Sequence, residues 1–248
     1  MNGSLNGKTI LVTGGARRVG KIFALACARA GADVVIHHGH SDEDAEKVRD
    51  EIVGLGRRAW IFQADLNDSS QAQSLIPRIN KRSSPMDEST PLHGLVNSAA
   101  IFESLSLEAT SVEDWEKHLA INLTAPFLLS QAFARQASEG SRIVNIVDWR
   151  ALRPGADHFP YTISKAALAS MTQSLAVALA PKIIVNGLAL GAILPPSDGK
   201  AKPDIIKTIP AGRWAEEQEV EQALLFLLTC PAYITGEIIH VDGGRHLV

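Results

Sequence analysis

Thr9-Ile10-Leu11-Val12-Thr13-Gly14-Gly15-Ala16-Arg17-Arg18-Val19-Gly20 runs from a short β-branched apolar segment into a glycine-bearing turn, and an apolar-periodic stretch then continues to Gly31. That order reads as strand, tight turn, helix. Small residues in such a turn let the backbone approach a pyrophosphate, and the helix behind it presents free N–H groups and a positive dipole end. Gly14 and Gly20 suit the close approach, with Arg17, Arg18 and Val19 in the same turn. A plain βα connection would use the same glycines, so this turn alone leaves both readings open.

The same alternation repeats along the chain. Strands are predicted at Thr9 to Val12, Asp33 to His37, Ala59 to Phe62, Gly94 to Asn97, Arg142 to Val147, Ile183 to Gly187 and Glu237 to His240. Helices are predicted to start near Val19, Asp42, Ser69, Val112, Phe159 and Glu216. Repeated βαβ units imply an α/β fold, Rossmann-like and doubly wound, with a parallel sheet of about seven strands and helices on both faces. Residues 1–248 are read as one dinucleotide-binding and catalytic domain. Two segments break the rhythm: polar Ser83 to Pro91, read as a surface connection, and Pro-rich Leu194 to Gly212. The latter lies in a region near 190–214 read as a substrate loop.

Composition narrows the function. The chain is 46% hydrophobic and 21% charged, with a formal net charge of −3, so no basic excess serves a nucleic-acid backbone or an anionic membrane. Neither partner is expected. Cys27 and Cys230 belong to no CxxC or Cys/His cluster, which predicts reduced structural thiols and no metal. No secretory h-region or spanning apolar stretch is read, and a cytoplasmic location is expected.

The second strand carries the cofactor preference. Val34-Val35-Ile36-His37-His38-Gly39-His40-Ser41 puts no carboxylate before Asp42 to take a ribose 2′-hydroxyl. Arg17, Arg18, His38, His40 and Ser41 are instead candidates for a 2′-phosphate, which favours NADP(H). A solvated histidine loop is the alternative for any one of the histidines.

With these elements in order, the chain resembles the short-chain dehydrogenase/reductase family over nearly its whole length. The resemblance is carried by Thr13 to Gly20, by Asp65 in Ala64-Asp65-Leu66, by Asn97-Ser98-Ala99-Ala100 and by Asn122 in Ile121-Asn122-Leu123. Tyr161-Thr162-Ile163-Ser164-Lys165 and Val241-Asp242-Gly243-Gly244 continue it, while Leu190-Gly191 stands where the family has Pro-Gly. It implies cofactor contacts from Asp65, Leu66, Asn97, Ser98, Ala99, Tyr161, Lys165 and Gly191, a proton relay through water at Asn122, and a homotetramer. Independently of the family, a spacing of i, i+4 puts Tyr161 and Lys165 on one helical face, where an ammonium is expected to lower the phenol's pKa.

Asp148, thirteen residues before Tyr161, stands where most of the family has serine. Aspartate there is similar to the pteridine and dihydromonapterin reductases, a resemblance shared by Arg18, Phe102 and the ending Gly243-Gly244-Arg245-His246-Leu247. A serine hydroxyl polarises a carbonyl, whereas a carboxylate accepts hydrogen bonds from an aminopyrimidinone edge. The catalytic set is therefore Asp148, Tyr161, Lys165 and Asn122, with Arg17, Phe102, Asp148 and Tyr161 toward a pterin substrate. Reduction of a dihydropterin C=N bond by NADPH is the leading expectation. A carbonyl or 3-oxoacyl reductase is the first alternative, and a dinucleotide-binding sensor or scaffold without catalysis the second. Trp149, Arg150, Arg153 and Trp214 are read as pocket-edge or packing residues.

Overall fold

The computed structural model describes residues 4–81, 91–195 and 206–248. Seven parallel strands form one sheet: β1 (Thr9–Val12), β2 (Asp33–His38), β3 (Ala59–Gln63), β4 (Leu92–Asn97), β5 (Ser141–Asp148), β6 (Ile183–Leu190) and β7 (Ile238–Val241). Their order is β3-β2-β1-β4-β5-β6-β7. β1 thus pairs with β2 on one side and β4 on the other, and the winding reverses there, as it does where open α/β sheets bind ligands.

Alternation along each buried strand sorts side chains between two cores. Ile10, Val12, Val34 and Ile36 meet α1 (Arg18–Arg29), α2 (Asp42–Gly54) and α7 (Glu217–Thr229) through Phe23, Cys27, Val48, Ile52, Val220 and Leu224. On the opposite face Leu11, Val35 and Leu95 meet α3 (Ser69–Lys81) and α5 (Ala125–Gln136) through Leu75, Ile79, Leu129 and Phe133. α4 (Val112–Leu119) joins α5 through a π turn at Ala120–Thr124. α6 (Phe159–Leu179) carries Tyr161 and Lys165 in its first two turns.

All seven predicted strands form, the first over the residues predicted and the other six with shifted ends. β5 and β6 run further than their sequences suggest because their ladder continues to the pair Asp148↔Leu190, which brings Asp148 beside Leu190-Gly191. The helix predicted near Val112 is not one regular helix: periodicity marks its start, but nothing in it signals the inserted π turn. Most of Ser83 to Pro91, and residues 196–205 of the predicted substrate loop, lie outside the described residues. Among the described residues no helix is long and apolar enough to cross a membrane.

Candidate active site

The β1–α1 turn is built for backbone proximity. A side chain at Gly14 would come within 3.0 Å of Ala99 Cα, and one at Gly20 within 2.0 Å of Gly14 O. The Thr13 hydroxyl accepts the N–H groups of Ser98 (2.9 Å) and Ala99 (3.0 Å), tying the exit of β4 to that of β1. His37, which sequence reasoning passed over, locks the same turn. Its Nδ1 accepts the Gly14 N–H at 3.2 Å while its Nε2 lies 3.0 Å from Ala64 O, a pairing that needs the neutral ring with hydrogen on Nε2. Burial favours that form, holding the His37 pKa down at about 4.

Arg18 occupies a glycine's conformation, with φ +50°, and its guanidinium donates to Pro195 O at 2.9 Å. It joins the glycine turn to the segment after β6. The left-handed backbone costs a side-chain-bearing residue about 1–2 kcal/mol. Arg18→Gly is therefore expected to unfold at higher denaturant than Arg18→Ala by about 1 kcal/mol, reversing the ordinary helical preference for alanine over glycine. Equal midpoints would mean that the turn relaxes.

The phosphate candidates separate. Arg17 is exposed and its Nε sits 3.4 Å from Asp44 in the first turn of α2, beside exposed His40 and half-buried Ser41. His38 turns inward: its ring is 3% exposed, Nδ1 accepts the Ser41 N–H, and burial lowers its pKa against the charge of Asp42. Asn97 also turns inward. Its side chain is in the core, donating to Asn145 Oδ1 (2.8 Å), and Asn145 donates in turn to Thr172 of α6 (2.9 Å). Through its Nδ2 it braces β4 against β5 and α6. Asp65 accepts the Asn67 N–H, and Leu66 is buried behind it. Gly191 packs on Asp242, where a side chain would come within 2.6 Å of the Asp242 Cα.

Asp148 and Tyr161 meet. The Tyr161 hydroxyl donates to Asp148 Oδ2 at 3.0 Å, and Asp148 Oδ1 accepts the Arg150 N–H at 2.9 Å. One carboxylate oxygen caps the turn after β5; the other faces the phenol. Burial raises the Asp148 carboxyl above its ordinary value, against hydrogen bonds from Arg150 and Tyr161 and the charges of Lys165 and Arg150. The lowered phenol pKa expected from Lys165 is not found: burial first, then Asp148, raise Tyr161 well above its ordinary value. Lys165 Nζ is 5.8 Å from the Tyr161 ring centroid and donates to Ile146 O at 2.7 Å, and burial lowers its pKa to about 8.

Asn122 lies in the π turn, and its side chain is fully engaged. Oδ1 accepts the Ile101 N–H (2.9 Å), while Nδ2 donates to Ile101 O (3.1 Å) and Ser164 Oγ (3.0 Å). A relay through that side chain is thereby disfavoured; what it does is pin the segment before Phe102 to α6. Phe102 is exposed, stacked on His158 (centroids 4.0 Å apart, 13° between planes) and edge-on to Tyr161 at 4.6 Å. It is no core residue, though His158 already covers one of its faces.

A parallel α/β sheet with a glycine turn at its switch point and a Tyr-x-x-x-Lys helix beside the end of β5 defines a dinucleotide-dependent oxidoreductase, and the comparisons agree. The family model described as enoyl-(acyl carrier protein) reductase, a short-chain dehydrogenase/reductase model, matches residues 14–246. The chain belongs to the short-chain dehydrogenase/reductase family and is an enzyme of that family. It is 32% identical over 97% of its length to a 3-oxoacyl-[acyl-carrier-protein] reductase of Synechocystis, 98% of which is covered. Among solved structures it resembles FolM alternative dihydrofolate reductase 1 of Brucella canis complexed with NADP (TM-score 0.87, 33% identity, 98% of this chain and 96% of that one). It also resembles the angucycline C-6 ketoreductase LanV with bound NADP (TM-score 0.93, 28% identity, 100% and 99%).

Proposed function

We propose that this protein is an NADPH-dependent reductase of a dihydropterin C=N bond, and the observation that carries this is the Tyr161–Asp148 hydrogen bond. When bound, NADPH supplies a hydride to the carbon of C=N; the chain must bring a proton to the nitrogen. A general acid works best with a pKa near the working pH. Asp148, raised above its ordinary value, moves toward that condition, while Tyr161, raised well above its own, moves away from it. Asp148 is the donor in this reading and regains its proton from solvent, while the Tyr161 hydroxyl holds it in place.

Carbonyl chemistry asks more of Tyr161. A phenol protonating a carbonyl oxygen must become phenolate, and Asp148 opposes a second negative charge 3.0 Å away. The relatives named 3-oxoacyl reductases nevertheless favour that second reading. Following NADPH absorbance with dihydropterins, dihydrofolate and simple ketones decides between them. Turnover confined to ketones discards the pterin reading and keeps the fold and cofactor.

For the cofactor, NADPH would lie over the glycine turn, with Arg17 receiving the 2′-phosphate in competition with Asp44, and the close approaches at Gly14 and Gly20 are what such a backbone cradle needs. Arg17→Ala is expected to raise KM for NADPH about tenfold or more, the loss of one charge-assisted bond of about 1.5–3 kcal/mol, without affecting NADH. Asp44→Ala should lower KM for NADPH by up to about five-fold, because an exposed ion pair is worth about 0.2–1 kcal/mol. An Arg17→Ala enzyme with unaltered preference would move the phosphate site elsewhere. A homotetramer, which the family resemblance implies, would use the outer face of α6 at Ser170 and Val177, because Ala169 and Ala176 are already buried in this chain's own core.

A further inference from the structure

The last turn of the chain returns to the substrate side of the sheet. Asp242 fixes it, accepting the N–H groups of Gly244 (2.9 Å) and His246 (2.8 Å) and the His246 Nδ1 hydrogen (2.7 Å). From this turn the Arg245 guanidinium reaches 4.3 Å from the ring centroid of Trp149, the residue after Asp148. Arg150 also lies against that ring, at 5.0 Å, but its charge is matched by a two-pronged bond to Asp157 (2.7 and 3.1 Å). Arg245 has no such partner: among the described residues no carboxylate lies within 4.0 Å of it.

A partly buried cation held by an indole rather than an acid is in an unusual state. Stacking on tryptophan contributes about 0.5–2 kcal/mol but satisfies none of the guanidinium's N–H donors. Burial first, then the neighbouring Arg150 charge, work against the cation, while Asp148, Asp157 and Asp242 favour it, each from beyond 4.0 Å. Among the described residues no carboxylate bonds its N–H donors directly.

We infer that Arg245 and Trp149 form an anion subsite at the edge of the Asp148–Tyr161 pocket, which receives a carboxylate carried on the side chain of the substrate. This rests on the dihydropterin reading for the ring, but not for the subsite. The reacting ring meets Asp148, and its tail crosses Trp149 to Arg245. The enzyme then prefers a dihydropterin with an acidic tail to one with a neutral tail.

Two measurements test this, and they fail separately from the functional reading. First, 7,8-dihydrofolate and 7,8-dihydrobiopterin share a ring and differ in tail charge. Arg245→Gln is expected to raise KM for dihydrofolate about tenfold, as for loss of a charge-assisted bond, with dihydrobiopterin unchanged and Arg245→Lys recovering part of the loss. Equal effects on both substrates overturn the subsite. Second, 4-aminobenzoylglutamate, the acidic tail without a pterin, is titrated calorimetrically into protein saturated with NADP+. Binding weakened about tenfold by Arg245→Gln supports the subsite even if no dihydropterin is turned over, whereas binding indifferent to that change, or none, overturns it.

Discussion

Asp148→Asn is expected to lower dihydropterin turnover by about 10²–10⁴-fold, with NADPH affinity unchanged. Asparagine keeps the shape: its oxygen can still accept one of the two hydrogen bonds now made by Arg150 N–H and Tyr161. It removes the proton and the charge. The pH profile is a second readout, because the carboxylate raises both Tyr161 and Lys165. In the parent enzyme loss of the Asp148 proton is expected to begin the decline of kcat/KM, and loss of the Lys165 ammonium as pH rises through about 8 to give its final basic limb. In Asp148→Asn that limb moves to lower pH, since the remaining cause acting on Lys165 is burial, which disfavours the charged form. Asp148→Ser supplies the family's usual hydroxyl and is expected to gain ketone reduction as it loses dihydropterin turnover. An Asn variant with parental rates on dihydropterins would end the case for this aspartate as the acid.

The architecture was legible because parallel strands buried on both faces are written as continuous apolar runs, and Ile10, Leu11 and Val12 serve two cores without a polar break. The Asp148, Tyr161 and Lys165 cluster was legible by spacing and by departure from a familiar pattern. Side-chain direction was less legible. Asn97 and His38 sit at positions suggestive of a cofactor, yet one completes a buried amide chain and the other caps the backbone of Ser41. His37 was missed because a histidine inside an apolar strand looks like any core residue until the strand's end is set beside Gly14 and Ala64. The sign of the Tyr161 shift could not be read either. Helical spacing measures the distance from Lys165 within one element, whereas burial and Asp148 act from β5. Phe102 was a pocket candidate by sequence, but its stacking partner His158, at φ +56°, carries no sequence signal.

Tyr161→Phe is the complementary experiment, and its expected outcome separates two assignments of the proton. If Asp148 delivers it and Tyr161 only holds the carboxyl, removal of the hydroxyl costs about 10²-fold in kcat, toward the lower end for a general acid. The remaining carboxyl should also titrate higher, because the lost hydrogen bond is one that lowers the Asp148 pKa while burial raises it. The acid form then persists to higher pH, and the kcat profile stays flat further into the alkaline range until Lys165 titrates. Two groups acting as one unit do not give additive losses, so the double variant Asp148→Asn/Tyr161→Phe should be little worse than Asp148→Asn alone. If Tyr161→Phe instead costs more than Asp148→Asn on the same dihydropterin, the proton comes from the phenol. The enzyme would then have to stabilise a phenolate against a carboxylate whose oxygen lies 3.0 Å from it, a task the buried Lys165 ammonium could meet only by coming closer than the 5.8 Å at which it lies from the ring centroid.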